Sequence, residues 1–352
     1  MRRGCGTEGV AGHGSAIALK HEFRSVHAAT LVPVKLIETA RVALGERVYL
    51  REKSVLLEDD GSVLMIVERQ EHGEWRTCIE RITEAGVQAS GVIPPGAFGA
   101  TPTIVLLGGG VIAVLSDTAT VTVFDRELRP QHTVALDAEW PEPWSGTTAG
   151  GIARPGRDGA FLVRLTDPVS FQNSRAIASL RLTETEGSWL SWRLLARSDF
   201  PMSGPRAKGA AGPIVGDVRE SDSTRIVIAE GSDSGSVNRY GSDFFTVAEL
   251  DSDFRIAHRV FEESGWLRLT GKHGMTGRFT AGGASILLRQ VFASGSWKGR
   301  AHLLDLSDGS LAELPPVRGA AAFIPADVRG SRVVLLSEDS LLFARFDDEP
   351  AR

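Results

Sequence analysis

Basic side chains recur at comparable places along the chain. Arg51, Arg206, Lys208, Lys272, His273 and Arg318 each stand beside or just before a short apolar run, and Thr101, Thr147 and Thr148 occupy the same kind of place. Gathered round one opening, such donors would attract and hold an anion or a carboxylate. Spread over a rim, they would be ordinary solvated surface. Both readings stand on the sequence. Tyr240 ends a long polar stretch, Gly231 to Tyr240, and is one of two tyrosines. Its hydroxyl is a candidate binding or reacting group. Glu68, Glu71, Asp167 and Glu338 are candidate acids, since hydrolysis of a glycoside needs two carboxyl groups facing each other about 5–9 Å apart. His273 beside a carboxylate would suit a lyase or isomerase.

The elements that must position these groups are strands. A motif recurs from residue 52 onward: a short apolar run, a turn, and a second apolar run. Val55-Leu56-Leu57 is followed by Glu58-Asp59-Asp60-Gly61 and then Val63-Leu64-Met65-Ile66-Val67. Comparable pairs are 103–107 with 111–115, 151–153 with 161–163, 213–215 with 226–229, 278–279 with 286–288, and 322–324 with 333–336. Short β-branched runs bounded by Gly and Asp are strands joined as hairpins. A second signature follows several of them: Val121 to Asp125 before Leu128, Phe245 to Asp251 before Phe254, and His302 to Asp305. The Asp closing each run suits a turn, because its carboxylate accepts backbone N–H bonds two residues on.

Four strands over about fifty residues, repeated, match the period of propeller blades. The expectation is an all-β, six-bladed β-propeller with four-stranded blades. The sixth unit stops after its third strand, Leu341 to Phe346, and the segment Leu31 to Ile37 is expected to supply the fourth. That pairing would close the ring and remove two exposed edges. Residues 1–30 then form a tail, 31–346 one domain, and 347–352 a second tail.

Composition narrows the function. The chain has 352 residues and a formal net charge of −5, and no basic face of the kind that displaces counterions from nucleic acid. No apolar run reaches membrane-spanning length, so neither nucleic acid nor membrane is an expected partner. Arg2-Arg3 is not followed by an apolar stretch, so the cytoplasm is the expected location. The two cysteines cannot build a thiolate zinc site, and the eight histidines show no metal-ligand spacing. Phosphate- and dinucleotide-binding glycine motifs are missing too, so no cofactor is expected.

Gly-x-Trp recurs as Gly73-Glu74-Trp75, Gly187-Ser188-Trp189 and Gly295-Ser296-Trp297. It could be an aromatic platform for sugars, but packing between blades is the favoured reading. These turns, with Arg51 ahead of the Gly61 turn and Glu68 after it, weakly resemble the repeats of sialidases and other bacterial neuraminidase repeat proteins. The resemblance implies three arginines clamping a carboxylate bidentately, a tyrosine activated by a glutamate, and an acid/base residue. Arg51 and Arg289 fall at plausible clamp positions, and Glu338 matches the glutamate. Glu230 stands where an arginine is expected, and Phe323 where the tyrosine is. Tyr240 could substitute for it. Without that hydroxyl, no turnover by the tyrosine route is expected.

The leading expectation is therefore a non-catalytic module holding a protein partner or a small anionic ligand on its long-loop face. A sialidase-like glycoside-processing enzyme is the alternative.

Overall fold

In the computed structural model, residues 35–45, 48–94, 103–106, 112–115, 120–135, 149–155, 160–166, 174–182, 187–194, 214–220, 225–231, 244–263, 273–281, 285–292, 301–307, 311–314, 323–337 and 339–347 are described. Their strands form six four-stranded antiparallel sheets. The first holds β2 (Val48–Leu57), β3 (Val63–Glu71), β4 (Glu74–Thr83) and β5 (Gly86–Val92). The second holds β6 (Thr103–Leu106), β7 (Ile112–Leu115), β8 (Thr120–Phe124) and β9 (Pro130–Ala135). The third is β10 (Ala149–Pro155), β11 (Ala160–Thr166), β12 (Ser174–Leu182) and β13 (Gly187–Leu194). The fourth is β14 (Ile214–Glu220), β15 (Arg225–Gly231), β16 (Phe244–Leu250) and β17 (Ile256–Glu263). The fifth is β18 (His273–Phe279), β19 (Ser285–Phe292), β20 (Ala301–Asp305) and β21 (Leu311–Leu314). The sixth orders β22 (Ile324–Arg329), β23 (Arg332–Leu336) and β24 (Ser340–Phe346) beside β1 (Leu36–Ala43).

The first strands are neighbours in the sequence β22, β2, β6, β10, β14, β18, and β19 meets β22. The architecture is an all-β β-propeller. No helix among the described residues is long and apolar enough to cross a membrane.

Packing between sheets explains the apolar runs. Val63 to Val67 are all fully buried. Leu64 and Ile66 face a core shared with the second sheet, built with Ile104, Ile112 and Phe124. Val63, Met65 and Val67 face another, shared with Val42, Val334, Leu341 and Phe343 of the sixth. A strand covered on both faces needs no polar alternation. Cys78 is a buried thiol in the second of these cores, and its Sγ donates to the Arg76 carbonyl at 4.0 Å.

The closing strand lies further along than the sequence suggested. It is Leu36–Ala43, paired with β24 from Leu36↔Phe346 to Ala43↔Ser340. Residues 31–34, including Pro33, lie outside the described residues. The apolar run at 31–37 misled because the true strand is an edge strand, amphipathic, with Glu38, Thr39 and Arg41 turned outward.

The aspartate turns form as expected. The Asp125 carboxylate accepts from the N–H of Glu127 at 3.0 Å and of Arg129 at 2.9 Å. Asp251 does the same for Asp253 and Arg255, and Asp305 for Ser307. These bonds hold Leu128 and Phe254 at φ 61° and 57°, a conformation unfavourable for large L-residues. The turn thereby drives both side chains inward, and both are fully buried. Leu128 packs in the core between the first two sheets. A Cβ at Gly91 on β5 would lie 2.2 Å from the Leu128 carbonyl oxygen. Gly91→Ala is therefore expected to destabilise the protein by about 2 kcal/mol, from overpacking against backbone. Urea unfolding of the variant checks this.

A buried aspartate joins three sheets. β22 carries a bulge between Pro325 and Asp327, and Asp327 is fully buried. One carboxylate oxygen accepts from the N–H of Leu57 in the first sheet at 2.9 Å. The other accepts from Val328 in its own sheet at 2.9 Å and from Ala281, just past β18, at 3.2 Å. The Arg278 guanidinium, from the fifth sheet, lies 3.9 Å away and donates to the Val55 carbonyl at 2.9 Å. β14 carries the same bulge, between Val215 and Asp217. Ile214-Val215-Gly216-Asp217-Val218-Arg219 thus repeats Ile324-Pro325-Ala326-Asp327-Val328-Arg329 in sequence and register.

The β2–β3 turn is held by arginines. Arg81 pairs with Glu58 at 2.8 Å, Arg329 with the Asp59 carboxylate, and Arg332 donates to the Asp59 carbonyl at 2.8 Å. Asp60 accepts from the Ser62 N–H and hydroxyl at 2.9 and 2.6 Å, which holds its carboxyl below its ordinary pKa. A depressed folded pKa contributes stability above the unfolded value, near 3.9, and loses it as pH falls through the folded value. Asp60→Asn should therefore lower Tm slightly near neutral pH, and the difference should vanish at about pH 2. Thermal melts of both proteins at the two pH values test the sign.

Candidate functional site

The β3–β4 hairpin reaches past the edge strand of its sheet. β3 and β4 pair from Val63↔Ile82 out to Glu71↔Glu74. β5 ends at Val92, opposite Cys78, and the Ile93 N–H donates to the Thr77 carbonyl at 2.9 Å. The tip therefore continues beyond the edge strand. His72 and Gly73 turn it, with φ 50° and 89°, the paired positive φ of a tight hairpin turn. The sequence marks this departure: the apolar run ends at Val67, and Glu68-Arg69-Gln70-Glu71 continue the strand as polar residues.

Trp75 sits on this arm opposite Gln70 and is 57% exposed. That overturns the reading of the first Gly-x-Trp as packing between blades. The motif also marks no common position. Gly73-Glu74-Trp75 leads into a third strand, whereas Gly187-Ser188-Trp189 opens β13, the fourth strand of its sheet. Trp297 lies outside the described residues.

The arm is braced at its base. Arg69 forms a bidentate pair with the buried Glu80 carboxylate at 2.5 and 2.7 Å, and reaches the Leu44 carbonyl. A forked guanidinium–carboxylate pair fixes orientation as well as distance. Trp75 is thus offered to solvent on a rigid support, the arrangement of an aromatic anchor at an interface. Arg69 and Glu80 were not singled out from sequence; the signal available was a carboxylate, Glu80, set between Ile79 and Ile82 on one strand.

Three of the expected site residues lie on described strands. Arg51 is in β2, His273 opens β18 opposite Phe292, and Arg289 in β19 faces Thr276 and Ala301. Arg51 and His273 thus occupy the starting halves of two first strands. Arg206, Lys208, Tyr240, Lys272, Arg318 and Glu338 lie outside the described residues.

Phe323, at the position matched to the sialidase tyrosine, is half-buried. It packs on a core that includes Leu287, Leu314 and Leu342, under the Arg41 guanidinium at 5.0 Å from its ring centre. Arg41 in turn pairs with Glu38 at 2.9 Å. This ring is a packing element with a cation over its face. No group of three or more metal-ligating side chains occurs among the described residues.

No protein-family model and no curated protein matches the chain. Among solved structures, the WD40 domain of Toxoplasma gondii coronin is similar at 10% identity, covering 92% of this chain and 88% of that one, with a TM-score of 0.48. The Neurospora crassa Pan2 WD40 domain shows 8% identity, coverage of 90% and 97%, and a TM-score of 0.46. A protein of unknown function from Bacteroides caccae shows 13% identity, coverage of 74% and 81%, and a TM-score of 0.43. The propeller assignment rests on the sheet order and strand neighbours of this chain, in which each expected apolar hairpin is the first two strands of one sheet.

Proposed function

We propose that this propeller, with each of its six sheets as one blade, is a non-catalytic binding module that engages a protein partner through the face bearing the β3–β4 hairpin. The observation that carries the reading is Trp75, a large aromatic held in solvent on a braced arm. Exposed aromatics on rigid supports supply most of the energy of interfaces they anchor. Arg51, His273 and the basic segments before other first strands would lie on the same face and favour acidic groups around the anchor, or a small anionic ligand at the channel mouth. Phe323, half-buried and without a hydroxyl, counts against the glycosidase alternative.

The test is a comparison of wild type with Trp75→Ser and with Arg51→Ala. Partners recovered by crosslinking in cells would be quantified for each. Trp75→Ser is expected to reduce the recovered partner about tenfold or more, with an unchanged melting temperature because the side chain is exposed. Equal recovery from wild type and Trp75→Ser would sink the proposal.

A further inference from the structure

The repeated bulge motif places two arginines in equivalent positions with different surroundings. In the sixth sheet, Arg329 reaches into the turn that follows the first strand of the next sheet. It donates to the Leu57 carbonyl at 3.2 Å and pairs with the Asp59 carboxylate. In the fourth sheet, Arg219 occupies the same register: it stands opposite Ile226, two residues past the bulged Asp217. The next sheet there is the fifth, and Phe279 corresponds to Leu57 as the last residue of the first strand.

The turn that follows differs in chemistry. Glu58-Asp59-Asp60-Gly61-Ser62 carries three carboxylates, whereas Thr280-Ala281-Gly282-Gly283-Ala284-Ser285 carries none. Arg219 is half-buried, and no carboxylate of the described residues acts on it. Burial lowers its pKa from the ordinary arginine value. A desolvated guanidinium without a counter-charge is unfavourable, and its planar fork matches a carboxylate bidentately.

We propose that Arg219, at the turn end between the fourth and fifth sheets, receives a carboxylate from outside the chain, the side chain of an acidic segment of a protein partner. The equivalent position shows the kind of group it takes. Arg329 holds an aspartate carried on polypeptide and a backbone carbonyl beside it. A segment of chain presenting Asp or Glu reproduces both features, and a free acid reproduces only one. This contact is at the end of the sheets opposite the β3–β4 hairpin tip, so it stands or falls independently of the Trp75 face.

The probe is a fluorescein-labelled hexaglutamate peptide, followed by fluorescence anisotropy at low ionic strength. Arg219→Gln should weaken its binding about tenfold. Arg129→Gln, an exposed arginine paired with Asp125, should leave it unchanged. Asp59→Ala removes the carboxylate from Arg329 and should add a second binding site of similar affinity. Thermal melts give a reading without any ligand: Arg219→Gln should not lower Tm, whereas Arg329→Gln should. The proposal is overturned if Arg219→Gln binds the peptide as wild type does, or if it lowers Tm as much as Arg329→Gln. Full displacement of the peptide by equimolar free glutarate would overturn the assignment to a polypeptide segment.

Discussion

Asp327→Ala is expected to destabilise the protein by about 4 kcal/mol, among the largest effects of any single substitution in this chain. The carboxylate accepts N–H bonds from Leu57, Ala281 and Val328, in or beside three different sheets. Alanine leaves the Leu57 and Val328 N–H groups buried without their carboxylate acceptor, at about 1–3 kcal/mol each before relaxation, while the Ala281 N–H keeps the Val328 carbonyl at 3.1 Å. Asp327→Asn should cost less, about 2 kcal/mol, because one amide oxygen still accepts while the NH2 meets one of the donors. Urea unfolding of both variants decides. An unchanged midpoint for Asp327→Ala would mean that relaxation or water replaces the carboxylate, and that the three-sheet junction is not held by it.

Removing β1 should abolish the folded monomer, and removing only residues 1–34 should not. Deletion through Ala43 strips β24 of its partner along its whole length. It also withdraws Leu36 and Val42 from two cores. The loss combines the pairing of one strand with apolar burial worth about 2 kcal/mol for each large side chain. Exposing the β24 edge, with Leu341 and Phe343 beside it, adds a template for association with other chains. Circular dichroism melts and sedimentation of the two truncations test this. A cooperative, monomeric 44–352 fragment would show that the sixth sheet closes without β1.

The fold was legible where strands are covered on both faces. Val63 to Val67 and Val333 to Leu336 read as inner strands because nothing polar interrupts them, and they pair as expected. The Asp125, Asp251 and Asp305 turns were legible because their hydrogen bonds are local, spanning two to four residues. The closing strand was misplaced, since Glu38, Thr39 and Arg41 make an edge strand look like a loop. Asp327 gave no sign of its role. Its carboxylate matters through partners up to 270 residues away in sequence, and the bulge that aims it is set by pairing with β23. Trp75 was read as packing because a composition rule for tryptophan says nothing of a hairpin that outruns its edge strand. Of the basic groups expected at the mouth, Arg51 and His273 lie on described strands, β2 and β18.

The seam between β1 and β24 also sets an order of events in folding. Lys35 and Asp347, 312 residues apart, meet through an ion pair at 2.8 Å and a backbone hydrogen bond of the same length. The other five sheets are built from strands consecutive in the chain, so their loops close locally and cheaply. The sixth sheet must close the longest loop of all, and loop-closure entropy makes such contacts late and slow. Until that moment the newly made protein carries one incomplete sheet with an open edge. The seam is thus the step at which a chaperone, or a second copy of the same chain exchanging its first strand, would compete with the correct partner.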